Sequence, residues 1–340
     1  MSFDETQQPP SVQDPARSQT LDVRSNGEIE TYFVPENDPG HIVLASTQHN
    51  VRSTWDQIIP GFYTLFAEAP NLLFYDRTAG LGEFYTTGER GVLQLLRRHD
   101  NLRRSWDLIV PGSFAESSGG TSTLLFYDRA AGLGEFYTTD GAGGMTLKRR
   151  HTNWRRSWNL IVPGAFVKPA AGAQLSFESL LFYDRAAGQG EFYATDGQGN
   201  ISLAAKHTNW SRSWDVIIPY VHFGPQENQT FLMFYDRAAG LGEFYATDGK
   251  GNISLTAKHT NWRRSWDLII PFKLPTGTNG LLFYDRAAGQ GELYTVDGSG
   301  NISLVAQYTG WRHTWKAIVD VLITGSGGPL PEPGLLFYQP

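Results

Sequence analysis

The segment His151-Thr152-Asn153-Trp154-Arg155 puts an imidazole, an amide, an aromatic plate and a guanidinium within five residues. It returns as His207, Asn209 and Trp210, as His259, Asn261, Trp262 and Arg263, and in part as Trp311 and Arg312. Upstream in each copy an Arg and a Glu stand at a fixed spacing: Arg129 and Glu135, Arg185 and Glu191, Arg237 and Glu243, Arg286 and Glu292. A flat ring can stack on an apolar C–H face, while guanidinium, carboxylate and amide groups take hydroxyls in paired hydrogen bonds. That is sugar-binding chemistry, and these residues form the candidate ligand-binding set.

Each also has a structural reading. A Trp following Ser or Thr occurs in every copy, at Trp55, Trp106, Trp158, Trp214, Trp266 and Trp315, whereas the earlier Trp gives way to Val51 and Leu102. A position needed for the core should not lapse among equivalent environments. The anchor Trp is therefore core, and the lapsing Trp is either rim packing or a ligand platform. Asp128 and Arg129 with Glu135 form either a cross-strand ion pair beside a turn or part of the grip. The histidines, replaced by Gln48 and Tyr308, are either hydrogen-bonded structural residues or ligand contacts. One His per blade cannot reach the ~2 Å ligand distances of a shared site away from a channel, so no metal is expected.

These residues sit in a unit repeated about every 50 residues, a period that signals a repeat architecture. Phe-Tyr-Asp-Arg places its Tyr at Tyr75, Tyr127, Tyr183, Tyr235 and Tyr284, and Leu335–Gln339 ends the chain as a truncated sixth copy. Residues 21–33 align as a worn first copy. Each unit reads as four strands, LLFYDR, EFYTT, ISLAAKH and SWDLIIP, separated by Gly-rich turns. The first is apolar at successive positions and must be buried on both faces, which radial stacking of blades provides. The spacing predicts an all-β, six-bladed β-propeller of four-stranded blades over residues 21–340. The C-terminal strand completes the first blade, whose other strands lie at residues 27–60, and so removes an exposed edge.

The frame W-x-x-I-x-P-G-x-F, spacer, then LLFYDR resembles the FG-GAP/VCBS-type propeller repeat over residues 21–340. That family often carries an Asp-rich calcium loop, but the spacers after Phe114 and Phe166 contain no Asp, and calcium is not carried over. The near-identical copies are also similar to the small propeller lectins of bacteria and fungi, of the fucose-binding and tectonin-like types. That resemblance implies carbohydrate binding in repeated pockets.

Composition narrows the rest. The absence of cysteine from the 340 residues excludes disulfides and thiol nucleophiles, and a net charge of −6 argues against a general polyanion binder. The Arg103-Arg104, Arg155-Arg156 and Arg263-Arg264 pairs are local patches, and no nucleic-acid partner is expected. No apolar run approaches the ~18 residues of a membrane span. Residues 1–20 read as a disordered polar tail without a secretory signal, which suggests a cytosolic or non-classically released protein.

Catalysis needs unlike groups with separated pKa values, and near-copies offer like ones. Among the symmetry-breaking residues, His41, His222 and Glu227 lie in irregular segments without a partner motif. The expectation is a multivalent lectin with glycan partners, no cofactor and no catalysis, with oligomer formation open. The alternative is a protein-interaction propeller using variable spacers such as Tyr220–Phe231.

Overall fold

The computed structural model describes residues 26–65, 70–168, 178–224, 227–325 and 331–340, with no side-chain account of 221–229. The first 20 residues, expected to be a polar tail, lie outside the described residues, as do residues 21–25 of the worn first copy.

Twenty-four strands form six antiparallel four-stranded sheets. From the axis outwards, blade one is β23 (Ala317–Ile323), β24 (Glu332–Gln339), β1 (Gly27–Phe33) and β2 (Val43–Val51). Blade two is β3 (Gln57–Gly61), β4 (Asn71–Asp76), β5 (Leu81–Thr87) and β6 (Leu93–His99). Blade three is β7 (Leu108–Gly112), β8 (Thr123–Asp128), β9 (Leu133–Thr139) and β10 (Met145–His151). Blade four is β11 (Leu160–Gly164), β12 (Ser179–Asp184), β13 (Gln189–Thr195) and β14 (Ile201–His207). Blade five is β15 (Val216–Gly224), β16 (Glu227–Asp236), β17 (Leu241–Thr247) and β18 (Ile253–His259). Blade six is β19 (Leu268–Lys273), β20 (Asn279–Asp285), β21 (Gln290–Val296) and β22 (Ile302–Thr309).

This is the predicted six-bladed propeller, with its blades divided one strand away from the sequence reading. SWDLIIP is the innermost strand of the following blade, not the fourth strand of its own unit. The variable spacers therefore lie inside blades, and the HTNWRR segment crosses between them. A repeat has a period but no phase, so the sequence alone could not place the division.

The second strand of each blade explains the stacking. Residues alternate across a strand with a period of two. Leu180 and Phe182 accordingly pack with Val110, Tyr127 and Trp158, while Leu181 and Tyr183 pack with Trp214, Leu232 and Phe234 on the other side. Each such buried side chain contributes about 1.5–3 kcal/mol. The cores lie between blades, and no blade is complete alone.

Ring closure uses both chain ends. Ile29, Thr31 and Phe33 of β1 face Tyr338, Leu336 and Gly334 of β24, whose other edge pairs with β23. Each innermost strand touches the innermost strands of both neighbours, so the six surround a central channel.

Candidate functional site

Between blades five and six, the crossing segment leaves a cleft of about 340 Å³ lined by Trp262, Arg263, Trp266, Glu292 and Tyr294, with Asn261 at its edge. Asn261 takes a left-handed φ of 65°, as do Asn153 and Asn209 at 62° and 69°, so this side chain marks a tight turn. The turn is then pinned twice: Trp262 N donates to Gly240 O at 2.9 Å, and the Tyr235 hydroxyl donates to Arg263 O at 2.7 Å. Arg263 is held over the Trp266 ring at 4.6 Å and donates to Gln290 Oε1 at 2.5 Å and Glu292 Oε1 at 2.9 Å. Arg155 repeats this between blades three and four, reaching Gln189 and Glu191, and Arg312 reaches Glu30 in blade one.

The acids in these clefts are fully engaged. Glu191 accepts from Tyr193 at 2.6 Å and from Arg155, and pairs with Lys206 at 2.9 Å. Burial alone would raise its pKa, but these hydrogen bonds and neighbouring charges hold it below the ordinary carboxylate value. The same acid raises the Tyr193 phenol, whose burial is the larger cause. A carboxylate kept ionised by three donors holds blades together and is a weak base.

The candidate residues divide into three groups. Arg263 meets the Glu of the next blade, Glu292, while Glu243 pairs with Lys258 at 2.8 Å and Glu135 with Arg150 at 2.6 Å. The expected ion pair of Arg129 with Glu135 is not formed among the described residues: Arg129 N donates to Asp107 Oδ2 and its Nε to Trp158 O. Arg185 and Arg286 likewise reach Trp214 O and Trp315 O, and Arg237 N donates to Asp215 Oδ2.

The histidines join blades. His151, His207 and His259 each place Nε2 within 2.8–2.9 Å of a glycine carbonyl in the following blade, Gly199, Gly251 and Gly300, with Nε2–H donating. Tyr308 does the same to Gly40 O at 3.0 Å.

Trp154 lies on Gly134, where an added Cβ would come within 2.4 Å of its ring, and Trp210, Trp262 and Trp311 lie on Gly190, Gly242 and Gly291 in the same way. Each Trp also stacks on His151, His207, His259 or Tyr308 and meets the next blade's Phe edge-on. In one of the two copies that lack this Trp, Leu102 takes the seat on Gly82. These rings are half-buried.

A second site breaks the symmetry. At the end of the channel where the spacers emerge, a cavity of about 310 Å³ is lined by Pro60, Phe62, Phe272, Lys273, Asp320 and Leu322 among others. The innermost strands carry Pro60, Pro111, Pro163, Pro219 and Pro271 at one repeat position, and the sixth carries Asp320. Part of the Asp320 side chain meets the cavity, but protein surrounds it so closely that burial pushes its pKa up to about 6. Lys273 is also alone at its position, opposite Phe62, Ser113, Ala165, Val221 and Leu322 in the other copies. Burial lowers its pKa, and Nζ donates to Asn279 Oδ1 at 2.5 Å.

The sequence reading missed this pair by weighing what repeats. The available signal was an Asp where five copies have Pro. Of the symmetry-breaking candidates it did name, His41 is exposed and lies 3.8 Å from Asp38. His222 and Glu227 fall among the side chains not described. Among the described residues no cluster of His and carboxylates could hold a metal ion.

No protein-family profile matches the chain, and no curated protein matches it. Solved structures do. A periplasmic gluconolactonase from Pseudomonas aeruginosa aligns with TM-score 0.48 and 12% identity, over 88% of this chain and 89% of that one. A putative 6-phosphogluconolactonase from Bacteroides uniformis aligns with TM-score 0.47 and 11% identity, over 90% and 95%. A protein from Lactobacillus plantarum aligns with TM-score 0.44 and 12% identity, over 80% and 76%.

Two of these are named as lactonases and none as a sugar-binding protein. On that finding the expectations of a lectin and of a protein without catalysis are corrected, and the interaction-propeller alternative is set aside with them. At these scores the likeness supplies no chemistry for this chain, and the six-bladed propeller stands on its strand pairing.

Proposed function

We propose that the protein is a hydrolase of small neutral esters, with lactones as the substrate class, acting in the cavity that holds Asp320 and Lys273. The observation that carries this reading is the pair itself: two unlike groups, each unique in a sixfold repeat, in one cavity with largely apolar walls. A carboxyl with a pKa near 6 is suited to a general base at neutral pH. Asp320 would take a proton from water as its oxygen adds to the lactone carbonyl, and the Lys273 ammonium would stabilise the oxyanion. The ring C–O bond then breaks, and the alkoxide recovers the proton from Asp320 to give the hydroxy acid. The repeat unit itself we read as FG-GAP/VCBS-like, on the buried Phe114 and Phe166 ahead of their Leu-Leu-Phe-Tyr-Asp strands.

The test measures hydrolysis of D-glucono-1,5-lactone and of unsubstituted δ-lactones above the spontaneous rate. Asp320→Pro, which restores the residue of the other five blades, and Asp320→Asn are each expected to lower kcat ~10²–10⁴-fold. Lys273→Met should lower it as well. Activity should rise with pH through about 6 as Asp320 ionises. Wild-type protein without a rate above background on either lactone class, or an Asp320→Pro variant with full activity, overturns the reading.

A further inference from the structure

The opposite mouth of the channel carries a ring of cations that the hydrolase reading does not use. At the start of the innermost strands stand Asp56, Asp107, Asn159, Asp215, Asp267 and Lys316. Beside them are the arginines that end the second strands, each with its backbone N on the Asp or Asn of its own blade, as Arg77 is on Asp56 at 2.7 Å. Their guanidinium groups cross to the next blade, where Arg77 donates to Trp106 O at 2.7 Å and Arg185 to Trp214 O at 2.5 Å. In blade one Gln339 and Pro340 replace Asp and Arg, and Lys316 reaches Trp55 O at 2.5 Å instead.

Charge in this ring is not balanced. Five arginines and Lys316 oppose four aspartates, a formal excess of two positive charges. Arg77 and Arg185 find Asp107 and Asp215 across the blade boundary, at 3.7 and 3.4 Å. Across the equivalent boundaries Arg129 and Arg286 meet strands that open with Asn159 and Lys316. Backbone anchoring fixes the cations in place, and the Arg77 and Arg185 side chains remain 41% and 39% exposed. Finally, Nε of Arg77, Arg185 and Arg237 are buried donors with no hydrogen-bond partner among the described residues. Those nitrogens are closed off from solvent, which leaves the excess charge and the exposed remainder of each guanidinium to take a ligand.

We propose that this mouth of the channel binds one small polyanion, of the phosphate or polycarboxylate class. The ligand would lie on the axis, nearest the arc of Arg286 and Lys316. The site is at the other end of the channel from Asp320 and does not depend on the hydrolase reading.

Calorimetry with inorganic phosphate and with citrate, at constant ionic strength set by chloride, tests the proposal. Saturable binding of either anion at one per chain is expected. Asn159→Asp provides the clean control, because it restores the residue of the neighbouring copies and keeps every anchored cation while adding one negative charge. It should weaken binding about tenfold, the order of one unit charge at close range. Arg286→Gln should weaken it further. No saturable binding of either anion, or binding that Asn159→Asp leaves unchanged, overturns the proposal. Binding of only one anion supports it and identifies the charge geometry preferred.

Discussion

Asp320 ionises at a cost, because the walls around it solvate a carboxylate poorly. Its folded pKa of about 6 lies above the unfolded value near 3.9, so folding favours the protonated form. Below about pH 3 both states are protonated and the group is neutral to stability in relative terms. As pH rises to 6 and beyond, the penalty enters in full, and it amounts to on the order of 2–3 kcal/mol. Lys273 is the charged residue lining the cavity with it, and its own lowered pKa reports the same poor solvation. Asp320→Asn should therefore stabilise the protein at pH 8 and leave it unchanged near pH 3, as read from urea unfolding midpoints. A gain equal at both pH values would show that the carboxyl pays no charge penalty. Stability lost for function is the usual signature of a working site, and this residue is where a repeat-based reading is blind. Periodicity identifies what is shared, so the sugar-like constellation stood out in the sequence and the single Asp among prolines did not.

At the level of the element, the crossing segment is a joint. Its backbone is fixed by a left-handed Asn, by the Trp N bond to the glycine turn and by the buried Tyr hydroxyl. Its side chains then bridge to the next blade through Trp, Arg and His. Trp210→Ala should cost about 2–3 kcal/mol, below the 3–5 of a fully buried Trp, because the ring is only half-buried. Gly190→Ala should cost a comparable ~1–3 kcal/mol, since its new Cβ would lie 2.4 Å from that ring. Both variants should keep full lactone hydrolysis once folded. A loss of turnover without loss of stability would return the Trp to the ligand-binding role it was first assigned. The elements were legible because LLFYD and GEFYT carry their own pattern of burial and turns. What those elements do was less so. Trp, Arg, Glu and His at fixed spacing suit a sugar and suit a blade junction equally well, and only the partner across the boundary decides. That partner is about 30 residues away in sequence, as Glu292 is from Arg263.

At the level of the whole molecule, the six outer strands each form the edge of a sheet with no further strand paired to them among the described residues, and each outer pair carries a register shift, as between Phe192 and Tyr193 opposite β14. Such bulges twist an edge away from pairing with another chain. The inner weakness is the closure, where blade one joins two strands from each end of the chain. Leu335, Leu336, Phe337 and Tyr338 are all buried there, in the cores shared with blades six and two. Their removal forfeits roughly 6–12 kcal/mol of apolar burial at 1.5–3 kcal/mol for each side chain. It also exposes the facing edges of β1 and β23. A chain truncated after Gly328 should lose its sharp unfolding transition and associate through those edges. Added peptide spanning residues 331–340 should restore the transition by supplying the missing strand, as strand addition does at other open sheets. A truncated chain that stays monomeric and melts like the full protein would show that the ring holds without its final strand. Because the Asp320 cavity is walled in part by Pro333 and Gly334 of that strand, peptide rescue should restore lactone hydrolysis together with the transition.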